Sequence, residues 1–199
     1  MPQWHAVGRP ATELDTPALL VDLPTLESNI KRMATTIVHE AGVQWRPHTK
    51  GIKTPAIAHM MLRAGAVGIT CAKLGEAEVM AAAGIQDILV ANQVVGERKV
   101  ARLVNLRRQA DVAVAVDDLS NVEQIGLAAQ QAGVCVRLLI EVNSGMDRAG
   151  VDPGAPTLAL AHGIADCQGV QFAGLMTWES PALRIIDRDA KRRAVAVAL

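Results

Sequence analysis

Ala18-Leu19-Leu20-Val21-Asp22-Leu23-Pro24 is the stretch on which the choice of fold turns. Its first four residues form a short apolar run of strand type, and a doubly wound nucleotide-binding sheet would follow its first strand with a Gly-rich turn. Here Val21 runs straight into Asp22, Leu23 and Pro24 without a glycine, and Pro24 stands where a helix start tolerates a missing N–H. A barrel fits this better than an open doubly wound sheet.

Working outward, short β-branched runs alternate with longer helical segments, the pattern of a parallel sheet covered by helices. Strands are predicted near Ala18 to Val21, Val43 to Pro47, Val67 to Thr70, Asp87 to Ala91, Val112 to Val116, Val136 to Val142 and Phe172 to Met176. Helices are predicted over Leu26 to Glu40, Pro55 to Ala64, Leu74 to Ala83, Glu97 to Gln109, Asn121 to Ala132 and Pro156 to Cys167. Gly84 and Gly133 follow alanine-rich helices as C-terminal caps would. A complete eight-fold barrel typically needs about 250 residues. Seven β/α units are reached as these 199 residues end inside the charged helical segment Asp187 to Leu199. The expectation is one domain over residues 1–199: an incomplete α/β TIM-type (β/α)8 barrel of about seven units, cut short.

Composition sets the class. Half the residues are apolar and a fifth are charged, as in soluble globular chains. Twenty basic and twenty acidic residues leave no net charge, so neither nucleic acid nor a membrane surface is indicated as a partner. Cys71, Cys135 and Cys167 are odd in number and widely spaced, and two of them sit in apolar runs, which suits buried reduced thiols. The N-terminal Met1 to Asp15 lacks an apolar signal core, and no run of about 18 uncharged apolar residues follows. A cytoplasmic location is expected.

The chemistry concentrates in Trp45-Arg46-Pro47-His48-Thr49-Lys50-Gly51-Ile52-Lys53. Side chains alternate along a strand, so Arg46, His48 and Lys50 share one face. Burying three such groups without partners would cost several kcal/mol per charge, roughly, so the row reaches solvent or meets something anionic. A second stretch, Glu141-Val142-Asn143-Ser144-Gly145-Met146-Asp147-Arg148-Ala149-Gly150, follows the sixth predicted strand. Its glycines would let the backbone approach a ligand closely, and Arg148 offers a planar fork to a carboxylate or phenolate oxygen. Other strand ends carry Thr70 and Lys73, Asn92 and Gln93, Asp117 and Asp118, and Trp178 and Glu179. Asn92 and Gln93 are the better ligand candidates there. Asp118 reads as a helix cap, and Lys73 and Glu76 as a solvated first turn. His5, His39, His59 and His162 sit in tail or helical context and read as inert.

Taken together, Asp15-Thr16-Pro17-Ala18-Leu19-Leu20-Val21-Asp22, Asn29-Ile30, Arg46-Pro47-His48-Thr49-Lys50 and Gly145-Met146-Asp147-Arg148-Ala149-Gly150-Val151 closely resemble the D-threonine aldolase and D-serine dehydratase group of fold-type III enzymes, related to the N-terminal barrel of alanine racemases. The resemblance spans nearly the whole chain. It implies a pyridoxal 5'-phosphate cofactor held as an internal aldimine on Lys50, with His48 beside the ring and Arg148 on the phenolic oxygen or the substrate carboxylate. Gln93 and Trp178 complete the expected cofactor contacts, and Lys50 and His48 the expected catalytic pair. The implied activity is a lyase acting on small β-hydroxy-D-amino acids, either retro-aldol or dehydrating. An amino-acid racemase and a non-catalytic cofactor-binding protein stay open as alternatives; the racemase is weakened by the lack of any tyrosine. The resemblance also implies a divalent metal whose ligands lie in a C-terminal β domain beyond these residues, and a homodimer at full length. One departure stands out: the family's Glu-Gly-His reads Glu179-Ser180-Pro181.

Overall fold

A computed structural model describes residues 8–198. Asp22 caps the first helix by accepting the Thr25 N–H at 2.8 Å, and α1 (Leu23–Ala34) runs on into a π-helical turn, Thr35–Glu40. After α2 (Pro55–Arg63), strand and helix alternate: β1 (Ile69–Cys71), α3 (Leu74–Ala82), β2 (Asp87–Gln93), α4 (Glu97–Arg107), β3 (Asp111–Val116), α5 (Leu119–Gln131), β4 (Val136–Glu141), α6 (Ala155–Asp166) and β5 (Val170–Met176). A last helix, α7, covers Arg188–Ala198. The five strands are parallel and lie in chain order β1-β2-β3-β4-β5, as the successive β/α units of a TIM-type barrel do.

The main core lies between the outer face of this sheet and its helices. Ile69, Ile88, Val90, Val112, Val114, Leu138 and Ile140 pack there against Met80 of α3, Leu103 of α4, Ile125 of α5 and Ile164 of α6. Each fully buried side chain of this size stabilises the fold by about 1.5–3 kcal/mol relative to exposure. A smaller cluster of Ile30, Ala34, Trp45, Met61 and Ala66 holds α1 and α2 together. Gly84 and Gly133 end their helices with positive φ, as caps.

The predicted helices all form within a few residues of their expected bounds, whereas two of the seven predicted strands do not. Residues 43–48 join the sheet only through the isolated parallel bridges Trp45–Ala66 and His48–Thr70. Ala18 to Val21 is no strand at all, and Leu19, Leu20 and Val21 are exposed. An apolar extended run becomes a strand only where its N–H and C=O groups find a ladder, and among the described residues nothing pairs with this one. All three thiols are free and Cys71 is buried, as expected; Cys135 departs from expectation, being exposed in the turn before β4.

Candidate active site at the C-terminal strand ends

Alternation along the strands points Asp87 and Gln93 of β2, Asp111 of β3, and Arg137 and Glu141 of β4 away from the helices, on the concave side of the sheet. At the N-terminal end of that side, Arg46 Nη2 and Arg137 Nη2 each lie 2.8 Å from a different oxygen of Asp87, and Arg137 Nη2 lies 2.8 Å from Asp111 Oδ2. Arg46 therefore shares a face with His48 and Lys50 as expected, but it is spent in an ion-pair cluster away from the cavity. Gly68 makes room for it: a Cβ there would come within 2.2 Å of Arg46 Nη1 and 2.5 Å of the Asp87 carbonyl oxygen.

At the opposite end the strands open into a cavity of about 560 Å³. It is lined by His48, Lys50, Asn92, Gln93, Glu141, Arg148, Thr177 and Trp178, with Ala72, Ala91, Ala149 and Met176 between them. The exposed indole of Trp178 stands between two cations, its ring centroid 5.7 Å from Lys50 Nζ and 5.0 Å from Arg148 Cζ, both within cation–π reach. All five predicted site residues, Lys50, His48, Arg148, Gln93 and Trp178, thus converge on one cavity from separate elements.

Local hydrogen bonds set the shape of each piece. Thr49 anchors the Lys50 loop, its Oγ1 donating to the Thr70 carbonyl at 3.0 Å and its N–H to the same oxygen at 2.7 Å. Nδ1 of His48 accepts the Lys50 N–H at 3.2 Å, which leaves Nε2 to carry the proton of the neutral ring. Desolvation first, then the charge of Lys50, pushes the His48 pKa below its ordinary 6.5, so the ring is neutral near neutral pH. Behind it, Glu76 accepts the Ala72 N–H at 2.8 Å and pairs with Lys53; its carboxyl is raised by desolvation, but these partners outweigh that and hold it low. Glu76 is therefore a buried-side anchor, not the solvated turn residue expected. Asp118 does cap its helix, accepting the Ser120 N–H at 2.8 Å.

The loop after β4 departs from expectation in one respect. A Cβ on Gly150 would lie 2.8 Å from the Asn143 nitrogen and 3.0 Å from the Glu141 carbonyl oxygen, so its lack of a side chain serves the chain's own close packing and not a ligand's approach. Thr70 is also buried under the Lys50 loop, outside the cavity lining. Of the amides, Asn92 Nδ2 donates to the Ala72 carbonyl at 3.1 Å, and Gln93 Nε2 donates to Glu141 Oε2 at 2.6 Å. Glu141 went unnoticed as a site residue; its signal was a carboxylate closing the otherwise apolar run Leu138 to Ile140 in the inward register of Arg137. His59, expected inert, bonds the Ala83 carbonyl through Nε2 at 2.9 Å. His5 and Leu199 lie outside the described residues. Among the described residues no three His, Cys, Asp or Glu side chains gather into a metal-binding group, and no helix is long and apolar enough to cross a membrane.

The family described as alanine racemase, N-terminal domain, matches residues 21–196. The chain belongs to that family. Within it, the chain is 40% identical over 196 residues to a D-threonine aldolase of an Arthrobacter species, covering 96% of this chain and 51% of that protein. The structure of a D-threonine aldolase from Filomicrobium marinum superposes with a TM-score of 0.89 at 40% identity, over 92% of this chain and 50% of the other. That of a D-threo-3-hydroxyaspartate dehydratase from a Delftia species superposes at 0.81 and 30% identity, over 94% and 51%. This alanine racemase N-terminal domain thus spans about half the length of the relatives it matches, and its strands form part of a TIM-type barrel.

Proposed function

We propose that the chain is the cofactor-bearing domain of a pyridoxal-phosphate lyase acting on β-hydroxy-D-amino acids. The observation that carries this reading is the convergence of Lys50, Arg148 and Trp178 around one cavity at the C-terminal ends of barrel strands. The names of the aldolase and dehydratase relatives support the substrate class.

The residues fit the cofactor. A volume of about 560 Å³ lies within the usual range for small-ligand pockets. Lys50 supplies the primary amine that a carbonyl cofactor requires, Arg148 a planar donor for an anionic oxygen, and Trp178 an apolar plate for a flat ring. When bound, pyridoxal phosphate supplies an electron sink for the pair released as a bond to the substrate Cα breaks.

Around that chemistry the chain's residues bind, orient and hold protons. Lys50 Nζ would hold the cofactor's carbonyl carbon and, as a free amine, would be the proton acceptor or donor at its wall of the cavity. His48 stays neutral, so it offers an Nε2–H without adding a third cation beside Lys50 and Arg148. Arg148 orients the ligand by its guanidinium fork, and Trp178 offers its ring face to both cations. Loss of the β-hydroxyl proton with Cα–Cβ cleavage, followed by return of a proton to Cα, would give an aldehyde and glycine; loss of the Cα proton and of the β-hydroxyl as water would give, after hydrolysis, a keto acid and ammonia.

The test is borohydride reduction of the full-length protein loaded with pyridoxal phosphate, followed by peptide mapping and by assays on D- and L-threonine. A pyridoxyl group fixed on Lys50, absent in Lys50→Ala, with turnover of the D isomer alone, is the expected result. Fixation on another lysine, or equal turnover of both isomers, overturns the proposal.

A further inference from the structure

Gln93 and Arg148 reach the cavity from different elements, the end of β2 and the loop after β4, and one carboxylate stands between them. Glu141, at the end of β4, is 9% exposed. Its Oε2 accepts from Gln93 Nε2 at 2.6 Å, and its Oε1 lies 3.8 Å from Arg148 Nη2. A carboxylate this buried is costly unless paired and hydrogen-bonded. Gln93 provides the hydrogen bond and Arg148 the opposite charge, and Glu141 is the one carboxylate among the described residues lining the cavity.

The backbone that carries Arg148 is fixed independently of this pair. Asn143 Oδ1 accepts the N–H groups of Gly145 and Asp147 at 3.1 and 3.2 Å, and Asn143 Nδ2 donates to Asp147 Oδ1 at 2.8 Å. Farther on, the Gly150 N–H donates to Asp117 Oδ2 at 3.0 Å, and the Val151 N–H to the Glu141 carbonyl at 3.0 Å. The loop is therefore anchored on both sides of Arg148, while the guanidinium, on a side chain 56% exposed, has among the described residues the Trp178 face and the Glu141 carboxylate to define its direction.

We infer that Glu141 is a positioning residue: it holds the Gln93 amide and one edge of the Arg148 guanidinium, so that the remaining N–H groups of Arg148 are presented to an anionic oxygen of the ligand in the cavity. The inference rests on the reading of that ligand as pyridoxal phosphate. An arginine with an aligned carboxylate behind it is a more rigid donor than a solvated one, because the fork loses fewer orientations on binding.

The experiment uses the full-length protein and four variants, Glu141→Gln, Glu141→Asp, Arg148→Lys and the Glu141→Gln/Arg148→Lys pair. The readouts are the dissociation constant for pyridoxal phosphate and the position of the visible band of the bound chromophore, with circular dichroism as the check on folding. Glu141→Gln is expected to weaken binding about three-fold, the size of a partly exposed ion pair, and to shift the band in the same direction as Arg148→Lys. The double variant should be no weaker than Arg148→Lys alone, since Glu141 acts through Arg148. Glu141→Asp, which keeps the charge, should recover most of the affinity. Should Glu141→Gln not fold, Glu141→Asp carries the test, with a smaller shift in the Arg148→Lys direction. Wild-type affinity and band in the folded Glu141 variants, or fully additive losses in the pair, overturn the inference while Arg148→Lys still responds. If Arg148→Lys changes neither readout and no adduct forms on Lys50, the cofactor reading itself fails.

Discussion

At the N-terminal end of the strands Arg46, Arg137, Asp87 and Asp111 consume one another's charges, and Arg107 adds a further contact to Asp111 at 3.1 Å. At the C-terminal end Lys50, His48 and Arg148 share a cavity with one carboxylate among the described residues, Glu141. Both ends hold inward-facing cations on the same sheet, and they differ in what is left over. In the lower cluster every guanidinium meets a carboxylate: Arg137 grips Asp111 through two nitrogens and also reaches Asp87, which Arg46 holds from its other oxygen. The upper one keeps an amine, an imidazole and most of a guanidinium unspent, so its cations are available to something anionic. Charge in a barrel interior marks a candidate site only where it is not neutralised by its neighbours.

If that contrast is right, damage to the lower cluster reads out in stability and leaves cofactor affinity alone. Gly68→Ala should have the largest effect. Its new Cβ would meet not only the movable end of Arg46 but also the Asp87 carbonyl, which cannot move without shifting β2. A loss of about 2–3 kcal/mol in urea unfolding is expected from overpacking of this kind. Unchanged stability would show that the cluster yields easily and so weaken the contrast.

Asp87→Asn comes next, at about 1–2 kcal/mol, because it leaves Arg46 without its carboxylate and Arg137 with Asp111 alone; the figure is reduced for side chains a quarter to a third exposed. Desolvation raises the Asp87 carboxyl, but Arg46 and Arg137 together outweigh that and hold its pKa below the ordinary 3.8. The unfolded chain therefore takes up the proton first as pH falls, and Asp87's contribution is complete above about pH 4 and lost on descent through the native pKa. Urea midpoints at pH 5 and pH 3 should differ more in wild type than in Asp87→Asn.

How much of this was legible in the sequence differs between the two ends. The helices carry their own signals, such as Asp22 and Pro24 ahead of α1 and the glycines after α3 and α5, so they form where local pattern places them. The convergence of Lys50 with Arg148 was legible through their motifs. Arg46 looked like a third member of the site because alternation gives the face and not the position along it; only the pairing with Asp87 and Arg137 separates the two ends. Residues 18–21 could not be read correctly from propensity, because strand formation depends on a ladder partner distant in the chain. Glu141 was hidden because a single carboxylate has no motif, although its parity with Arg137 along β4 placed it inward.

The smallest effect sharpens the upper half of the comparison. His48 sits among Lys50, Lys53 and Glu76, and desolvation, followed by the charge of Lys50, lowers its pKa. With the native pKa below 6.5, the unfolded chain binds the proton first on acidification, so stability from this group falls as pH drops below about 6.5 toward the native value and is constant above it. The cofactor-free protein should therefore be slightly more stable at pH 7.5 than at pH 6, and His48→Gln should remove that difference while Asp87→Asn retains it. An NMR titration of the His48 ring gives the direct check: a midpoint below that of the same residue in urea supports an upper end where burial and the Lys50 charge together disfavour further positive charge. A raised midpoint would mean that Glu76 outweighs Lys50 at the ring, and that the upper end, like the lower one, has been neutralised from within.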